Sequence, residues 1–275
     1  MATASQSIER YLVWLGQMNY SPRTVEARRY YLRAFCEWLA DLGLETVDEV
    51  SEGVLDAYRR HVSQRRRWDD QPLSFRSQRN RLVPVKSFFR WLRQSRLIAV
   101  NPASEMPMPR MEKRLPRSVP AVDSVERCLA LASGETPSTL RDRAMLETFY
   151  SSGIRRLELA NLKIGDADLS RGMLAIRKGK GSKDRFVPIG KRAGDWISRY
   201  LAESRPELAA KAGESGALQE RTLFLNDRGQ PWSLSRLSER VGKYVKASSL
   251  GSQGGCHLFR HACATHMLEN GADIR

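Results

Sequence analysis

Five of the 12 prolines of this 275-residue chain fall between residues 102 and 120, and this stretch constrains the fold more than any other. Proline has no backbone N–H and disfavours helical conformation in the residue before it, so residues 101–120 are not expected to form a helix. The stretch is also basic, and such composition is typical of an extended linker. We therefore predict two domains, over residues 1–100 and 121–275, joined by a linker over residues 101–120.

The first hundred residues predict a bundle of α-helices. Ser21 followed by Pro22 is typical of a helix start, and Gly43 is typical of a helix end. Pro84 lies inside the last predicted helix, where we expect a kink or a break. The apolar spacing predicts helices over residues 25–42, 54–67 and 74–95. Aromatic residues recur at helical spacing and are expected in the core: Phe35, Trp38, Phe88, Phe89 and Trp91.

The second half of the chain predicts more helices around a short sheet. Two β-forming segments, residues 174–176 and 185–189, flank a short glycine-containing segment, and this pattern favours an antiparallel hairpin. Helices are predicted over residues 122–132, 140–151, 156–161, 193–203, 234–247 and 256–269. The fold class is therefore mainly α, with a small antiparallel β-sheet in the second domain.

The charge balance favours a polyanionic partner. The formal net charge is +15, and 36 of the 46 basic residues are arginines, whose planar guanidinium groups bind phosphate in two places. A GC-rich genome is the alternative explanation for the arginine content. An anionic membrane surface would also fit the charge, but we find no amphipathic helix with exposed aromatic residues to support it. No run of about 18 apolar residues predicts a membrane span. The absence of an apolar leader and of paired cysteines favours the cytoplasm.

Three motifs carry the chemistry. Ser152–Leu159 reads SGIRRLEL, Gly179–Arg185 reads GKGSKDR, and His257–His266 reads HLFRHACATH. In this order and at this spacing, the three motifs resemble those of the tyrosine site-specific recombinases, which include phage integrases and Xer-type resolvases. Ser21–Val25 and Lys86–Leu92 resemble the helical core-binding domain of the same family, so the resemblance covers nearly the whole chain. Pro84 and Cys256 depart from the family's pattern.

The resemblance implies a role for each motif residue in phosphoryl transfer without a metal or another cofactor. Arg155 and Arg260 would bind the scissile phosphate, and Lys180 would protonate the departing 5′-oxygen. His257 would hydrogen-bond a non-bridging oxygen, while Glu158 and His261 would support the site. Lys178 and Lys183 remain alternatives to Lys180 as the general acid. A zinc site built from Cys256, Cys263 and the neighbouring histidines is a competing hypothesis, although their spacing matches no ligand pattern we know.

Other basic residues are predicted to contact the DNA backbone. They are Arg76, Arg79 and Lys86 on one side of a helix, and Lys183 and Arg185 in the hairpin. A charged helix face is often merely solvated, but here the charge has one sign. His266 is expected to pack within a helix interface.

The nucleophile of the family is a tyrosine some tens of residues after the His-x-x-Arg motif. All eight tyrosines of the chain precede His257, so we expect a C-terminally truncated recombinase that binds DNA but does not cleave it. The expected partners are double-stranded DNA and sister protomers on DNA, with a monomer in free solution. The alternative is a non-catalytic DNA-binding regulator or accessory factor.

Overall fold

The structure of this protein is a computed structural model, which describes residues 2–111, 120–177, 184–213, 221–250 and 255–273. The chain divides into two compact units, Met1–Leu115 and Pro116–Arg275. Each unit has its own apolar core. None of the described helices has both the length and the apolar character that crossing a membrane requires.

The first unit is a helical bundle, as the sequence predicts. Ser21 caps the second helix, since its hydroxyl accepts a hydrogen bond from the Thr24 amide at 3.2 Å, and Gly43 follows that helix with a φ of +72°. The four helices are α1 (Ala4–Gln17), α2 (Pro22–Asp41), α3 (Glu52–Gln64) and α4 (Phe75–Gln94). The predicted aromatic core is largely confirmed, because Phe35, Phe88, Phe89 and Trp91 are buried and Trp38 is partly buried against them.

Of the kink or break predicted at Pro84, the break does not occur. Helix α4 runs from Phe75 to Gln94 with Pro84 inside it and buried. The neighbouring Leu82 and Val85 are completely buried in the core of the bundle. Proline has no backbone N–H, so one helical hydrogen bond is lost at Pro84. Burial of this face of the helix offsets that loss, and the helix therefore continues.

The predicted linker begins too early. Ala103 and Met106 are buried in the core of the first unit. Lys86 Nζ donates a hydrogen bond to the Met106 carbonyl at 3.2 Å, and Arg79 donates one to the Pro109 carbonyl at 3.1 Å. Residues 101–111 form turns followed by irregular chain and no helix, as the prolines predict, but they pack on α4 instead of leaving the bundle.

The second unit combines helices with a three-stranded antiparallel sheet. The strands are β1 (Ala167–Asp168), β2 (Met173–Ile176) and β3 (Arg185–Pro188), in the order β1-β2-β3. Leu174 pairs with Val187 and Ile176 with Arg185, which confirms the predicted hairpin of β2 and β3. The helices are α5 (Val122–Ala130), α6 (Pro137–Ser152), α7 (Arg156–Asn161), α8 (Lys191–Arg199), α9 (Arg205–Ala210), α10 (Leu234–Ala247) and α11 (Cys256–Glu269).

Helix α6 is the centre of the second unit and packs against α8 and α11. It carries a buried charge network at its first turns. The guanidinium of Arg141, which is completely buried, donates two hydrogen bonds to Asp142 Oδ1 at 2.7 and 3.0 Å and lies over the Trp232 ring. Asp142 Oδ2 accepts from Arg240 at 2.5 Å and from the Tyr244 hydroxyl at 2.8 Å. The network therefore ties α6 to α10.

Replacing Asp142 tests this network. Asp142→Asn removes the buried carboxylate bonded to Arg141 and Arg240 and leaves Arg141 paired with the more exposed Asp227, and we expect it to lower the free energy of unfolding by about 3–5 kcal/mol. Urea unfolding monitored by circular dichroism measures the change. Asp195→Asn is the matched control, because Asp195 forms an exposed pair with Lys191 and should change stability by less than about 1 kcal/mol. Equal effects of the two substitutions would contradict a stabilising role for the buried network.

Candidate functional site

A left-handed turn at Gly153 places the first motif. Helix α6 ends there with a φ of +57°, a conformation that glycine adopts without strain. A Cβ atom at this position would lie 3.2 Å from the Cys263 Sγ and 3.9 Å from the Cγ of Arg260. Glycine is therefore favoured both by the backbone conformation and by the close approach of α11, which carries the third motif.

Arg155 is the residue that precedes helix α7, and Glu158 fixes its position. One carboxylate oxygen of Glu158 accepts a hydrogen bond from the Arg155 backbone amide at 2.7 Å, and the other accepts from the Arg155 guanidinium at 2.9 Å. The side chain of Glu158 is only 5% exposed, whereas that of Arg155 is 39% exposed. The carboxylate thus holds both ends of Arg155, while part of the guanidinium remains open to solvent.

Arg185 reaches the same carboxylate from strand β3. Its two terminal nitrogens each donate to one oxygen of Glu158, at 3.0 and 2.8 Å. Burial alone would raise the pKa of Glu158, but the hydrogen bonds from Arg185 and Arg155 outweigh it and lower that pKa to about 2. Glu158 is therefore a permanent negative charge between two arginines at neutral pH.

Arg260 joins this group from helix α11. Its guanidinium donates a hydrogen bond of 2.5 Å to the carbonyl oxygen of Gly153, two residues before Arg155. Partial burial lowers the pKa of Arg260, and the positive charges of Arg155 and Arg185 lower it further. The two motif arginines, which are far apart in the sequence, therefore lie at one site. Together with Arg185 and Glu158 they give that site a net charge of +2.

The motif histidines lie on the same helix as Arg260. His257 and His261 are exposed. They are four residues apart, so they lie one turn apart on the same side of α11. His266, further along the helix, is buried. Its Nε2 lies 2.9 Å from the Pro120 carbonyl and its Nδ1 lies 2.9 Å from the Tyr150 hydroxyl. This is the packing role that the sequence predicts.

The remaining predicted residues divide into two groups. Lys180 and Lys183, together with the alternative Lys178, lie outside the described residues. Arg76, Arg79 and Lys86 belong to the first unit, where Arg76 is exposed and the other two are half-buried against residues 101–111. Nothing in the described ranges brings together three histidine, cysteine or acidic side chains as a metal site.

The pairing of Arg185 with Glu158 is the feature that sequence reasoning missed. The two residues are 27 positions apart and lie in different motifs. The available signal was the alternation of β3, in which residues 185 and 187 are half-buried and residue 186 is exposed. An arginine on the inward side of a strand favours a carboxylate partner, and Glu158 is one of two acidic residues in the three motifs, the other being Asp184, which directly precedes Arg185 in the chain.

Comparison with known proteins identifies the family. Residues 121–275 match the phage integrase family, and residues 8–96 match the phage integrase N-terminal SAM-like domain. The chain is 44% identical over 256 residues to tyrosine recombinase XerC 2 of Ralstonia nicotianae, covering 93% of this chain and 72% of that protein. It is 34% identical over 270 residues to tyrosine recombinase XerD of Pseudomonas aeruginosa, covering 98% of this chain and 85% of that protein.

Solved structures share the fold. The XerH site-specific recombinase bound to its difH substrate superposes with a TM-score of 0.71 at 18% identity, covering 98% of this chain and 76% of that one. A lambda integrase tetramer bound to a Holliday junction gives a TM-score of 0.68 at 18% identity, covering 99% and 75%. With the two family matches and the relatives above 30% identity, these findings show that the chain belongs to the phage integrase family, as a Xer-like tyrosine recombinase.

Proposed function

We propose that this protein acts in site-specific DNA recombination by binding one DNA phosphate between Arg155 and Arg260. The observation that carries the proposal is the hydrogen bond between Arg260 and Gly153, which joins the two motif arginines at one site. A phosphodiester gains negative charge on its non-bridging oxygens as it becomes five-coordinate. Two fixed guanidinium groups stabilise that charge more in the transition state than in the ground state.

The reaction we propose is a transfer of the phosphoryl group to a tyrosine. The phenol oxygen attacks phosphorus and forms a 3′-phosphotyrosyl bond, while the bond from phosphorus to the 5′-oxygen breaks. The phenol proton passes to water, and the Lys180 ammonium group protonates the departing 5′-oxygen. Because a phosphoester replaces a phosphoester, the reverse reaction rejoins a strand without an added energy source.

The histidines and Glu158 have supporting roles in this proposal. His257 lies one turn before Arg260 on an exposed part of α11, where it has access to a non-bridging phosphate oxygen. His261 lies one turn after His257 and supports the site from the same side of the helix. Glu158 touches no reacting atom and instead orients Arg155 through the two hydrogen bonds described above.

We also propose that Arg76, Arg79, Lys86 and Lys183 contact the DNA backbone. Arg76 is exposed near the start of α4. Arg79 and Lys86 each donate one hydrogen bond to a carbonyl, and since a guanidinium has five N–H groups and an ammonium three, donors remain for phosphate. Such contacts set the position of the protein on DNA and do not read the sequence.

The 275 residues considered alone are proposed to bind DNA without cleaving it, because every tyrosine precedes His257. The proposed partners are double-stranded DNA and sister protomers assembled on DNA, with a monomer in free solution. The solved tetramer of lambda integrase on a Holliday junction supports the assembly of protomers on DNA for a protein of this fold.

DNA binding should depend strongly on salt. If the four backbone contacts and the one phosphate bound by the two motif arginines amount to about five phosphates, affinity should fall about 500-fold between about 50 and 200 mM salt. Fluorescence anisotropy with a duplex selected from random sequences measures this. Arg76→Gln should reduce the slope of log affinity against log salt by about 0.9. Lys191→Gln, which removes one exposed charge from α8, should leave it unchanged. An affinity independent of salt would contradict the proposed contacts.

A free phenol should serve as the nucleophile for the 275-residue chain. We expect the 275-residue chain, given p-cresol, to nick its selected duplex slowly at one phosphate and leave a 5′-hydroxyl end. The reaction will be slow because the advantage of an attached nucleophile is lost. Arg260→Ala should abolish nicking and retain most of the binding, as a sequencing gel and anisotropy would measure. Nicking by the variant at the unchanged rate would remove Arg260 from the site, and binding without any nicking by the unsubstituted chain would favour the non-catalytic regulator.

The 275-residue chain by itself should form no covalent protein–DNA adduct. A nicked suicide substrate traps the phosphotyrosyl intermediate, and denaturing gel electrophoresis separates it from free DNA. We expect no trapped protein with the 275-residue chain and trapped protein once a tail that carries the family's tyrosine is appended. A trapped adduct on any of the eight present tyrosines, located by mass spectrometry, would overturn the proposed position of the nucleophile.

A further inference from the structure

Trp68, in the loop between α3 and α4, is the most exposed large apolar residue of the described chain. It is 93% exposed, so its indole makes almost no contact with the rest of the protein. The other five tryptophans are buried or partly buried. Burial of an indole is strongly favourable, and Trp68 forgoes that stabilisation in the folded unit. Its side chain is therefore available to a partner.

The loop that carries Trp68 has a defined structure. We call residues 65–73 the Trp68 loop. The Arg67 amide donates a hydrogen bond to the Gln71 carbonyl at 2.8 Å, and the Asp70 amide donates one to the Arg67 carbonyl at 3.1 Å. Asp70 has a φ of +57°, which completes a tight turn with Trp68 as its second residue. Because the backbone is already ordered, binding through Trp68 requires little further loss of loop entropy.

The base of the Trp68 loop is attached to the first turns of α4. The Leu73 amide donates a hydrogen bond to the Arg65 carbonyl at 3.4 Å. The buried side-chain amide of Gln78 donates to the Leu73 carbonyl at 2.9 Å. These contacts fix the loop next to the part of α4 that carries Arg76, one of the proposed DNA contacts.

The charge around Trp68 indicates the class of partner. Residues 65–81 contain six arginines and two aspartates, a net charge of +4. Each aspartate lies within 4 Å of an arginine of the same loop. Arg65 and Arg76 are exposed, and neither has an ion-pair partner among the described residues. A surface of this sign attracts a polyanion and repels the same surface of a second copy, which favours DNA as the partner.

We propose that Trp68 binds DNA by packing its indole against the bases of one step of the duplex. The arginines around it attract the phosphates, and the indole adds an apolar contact that phosphate binding cannot supply. Apolar side chains inserted at a base step partly unstack it, and stacking of an aromatic ring on a base is favourable for any sequence. The inference rests on the proposed binding of DNA and is independent of strand cleavage.

Salt dependence separates this contact from those of the arginines. An apolar contact releases no counterions, so its contribution to affinity does not change with salt. We expect Trp68→Ala to weaken binding about 5- to 50-fold at every salt concentration between about 50 and 200 mM. The slope of log affinity against log salt should stay unchanged. Trp68→Phe should keep part of the affinity, because a smaller ring still stacks.

Fluorescence anisotropy measures these affinities on the selected duplex, shortened to the length that one protomer protects. Intrinsic fluorescence gives a second readout. The emission of the unsubstituted chain minus that of Trp68→Phe is the emission of Trp68, and it should be quenched when the duplex binds. Stacking of the indole on a base brings the two ring systems into contact, whereas a solvated indole stays unquenched.

Two controls make the outcome specific. Val100→Ala also removes an exposed apolar side chain, 73% exposed, but Val100 lies beyond the opposite end of α4. Since a helix of 20 residues is about 30 Å long, this substitution should leave the affinity unchanged. Thermal unfolding of Trp68→Ala should match that of the unsubstituted chain, because Trp68 packs against almost nothing.

Other results overturn the inference. An unchanged affinity of Trp68→Ala would do so, as would a loss of affinity without quenching in the unsubstituted chain. A reduced salt slope would assign the loss to the neighbouring arginines. A loss confined to a longer duplex that binds two protomers would assign Trp68 to a contact between copies. If the unsubstituted chain selects and binds no duplex, the proposed function and this inference both fail.

Discussion

Glu158 lies almost completely buried between Arg155 and Arg185, and the geometry of the candidate site depends on this carboxylate. Like charges repel, so three guanidinium groups gather at one place only if a fixed negative charge lies among them. Glu158 provides that charge and remains ionised because its hydrogen bonds hold its pKa at about 2. Arg155 and Arg185 are both partly exposed, so part of the remaining positive charge is open to solvent.

The turn at Gly153 also contributes to the site. It reverses the chain between α6 and α7 and leaves room for α11, whose Cys263 and Arg260 lie against the glycine. The carbonyl of Gly153 then accepts a hydrogen bond from Arg260, so the same residue provides space and a polar contact. At the other end of α6, the buried network of Arg141 and Asp142 joins this helix to α10 through Arg240 and Tyr244. Contacts in the core of the second unit therefore help to position the residues of the site.

Much of the fold was predictable because local rules agreed with the tertiary structure. Helices α7, α10 and α11 have the predicted bounds, and the hairpin of β2 and β3 follows from β-forming residues on both sides of a glycine-containing segment. Prediction was wrong where packing overrode a local preference. Pro84 stays inside α4 because its face of the helix is buried, and residues 101–111 stay with the first unit because Met106 has a place in its core. Neither fact can be read from the local sequence.

The candidate site was likewise predictable only in part. The sequence by itself determined the chemistry: two arginines, a lysine and histidines in three motifs, with a glutamate three residues after the first arginine, at the spacing of a helix start. Only the tertiary structure decided which of these groups share a partner, because Arg185 and Glu158 are 27 residues apart and meet through the placement of β3 beside α7. Motif patterns arise from contacts within a segment. Contacts between segments depend on how helices and strands pack, and that is a property of the whole folded unit.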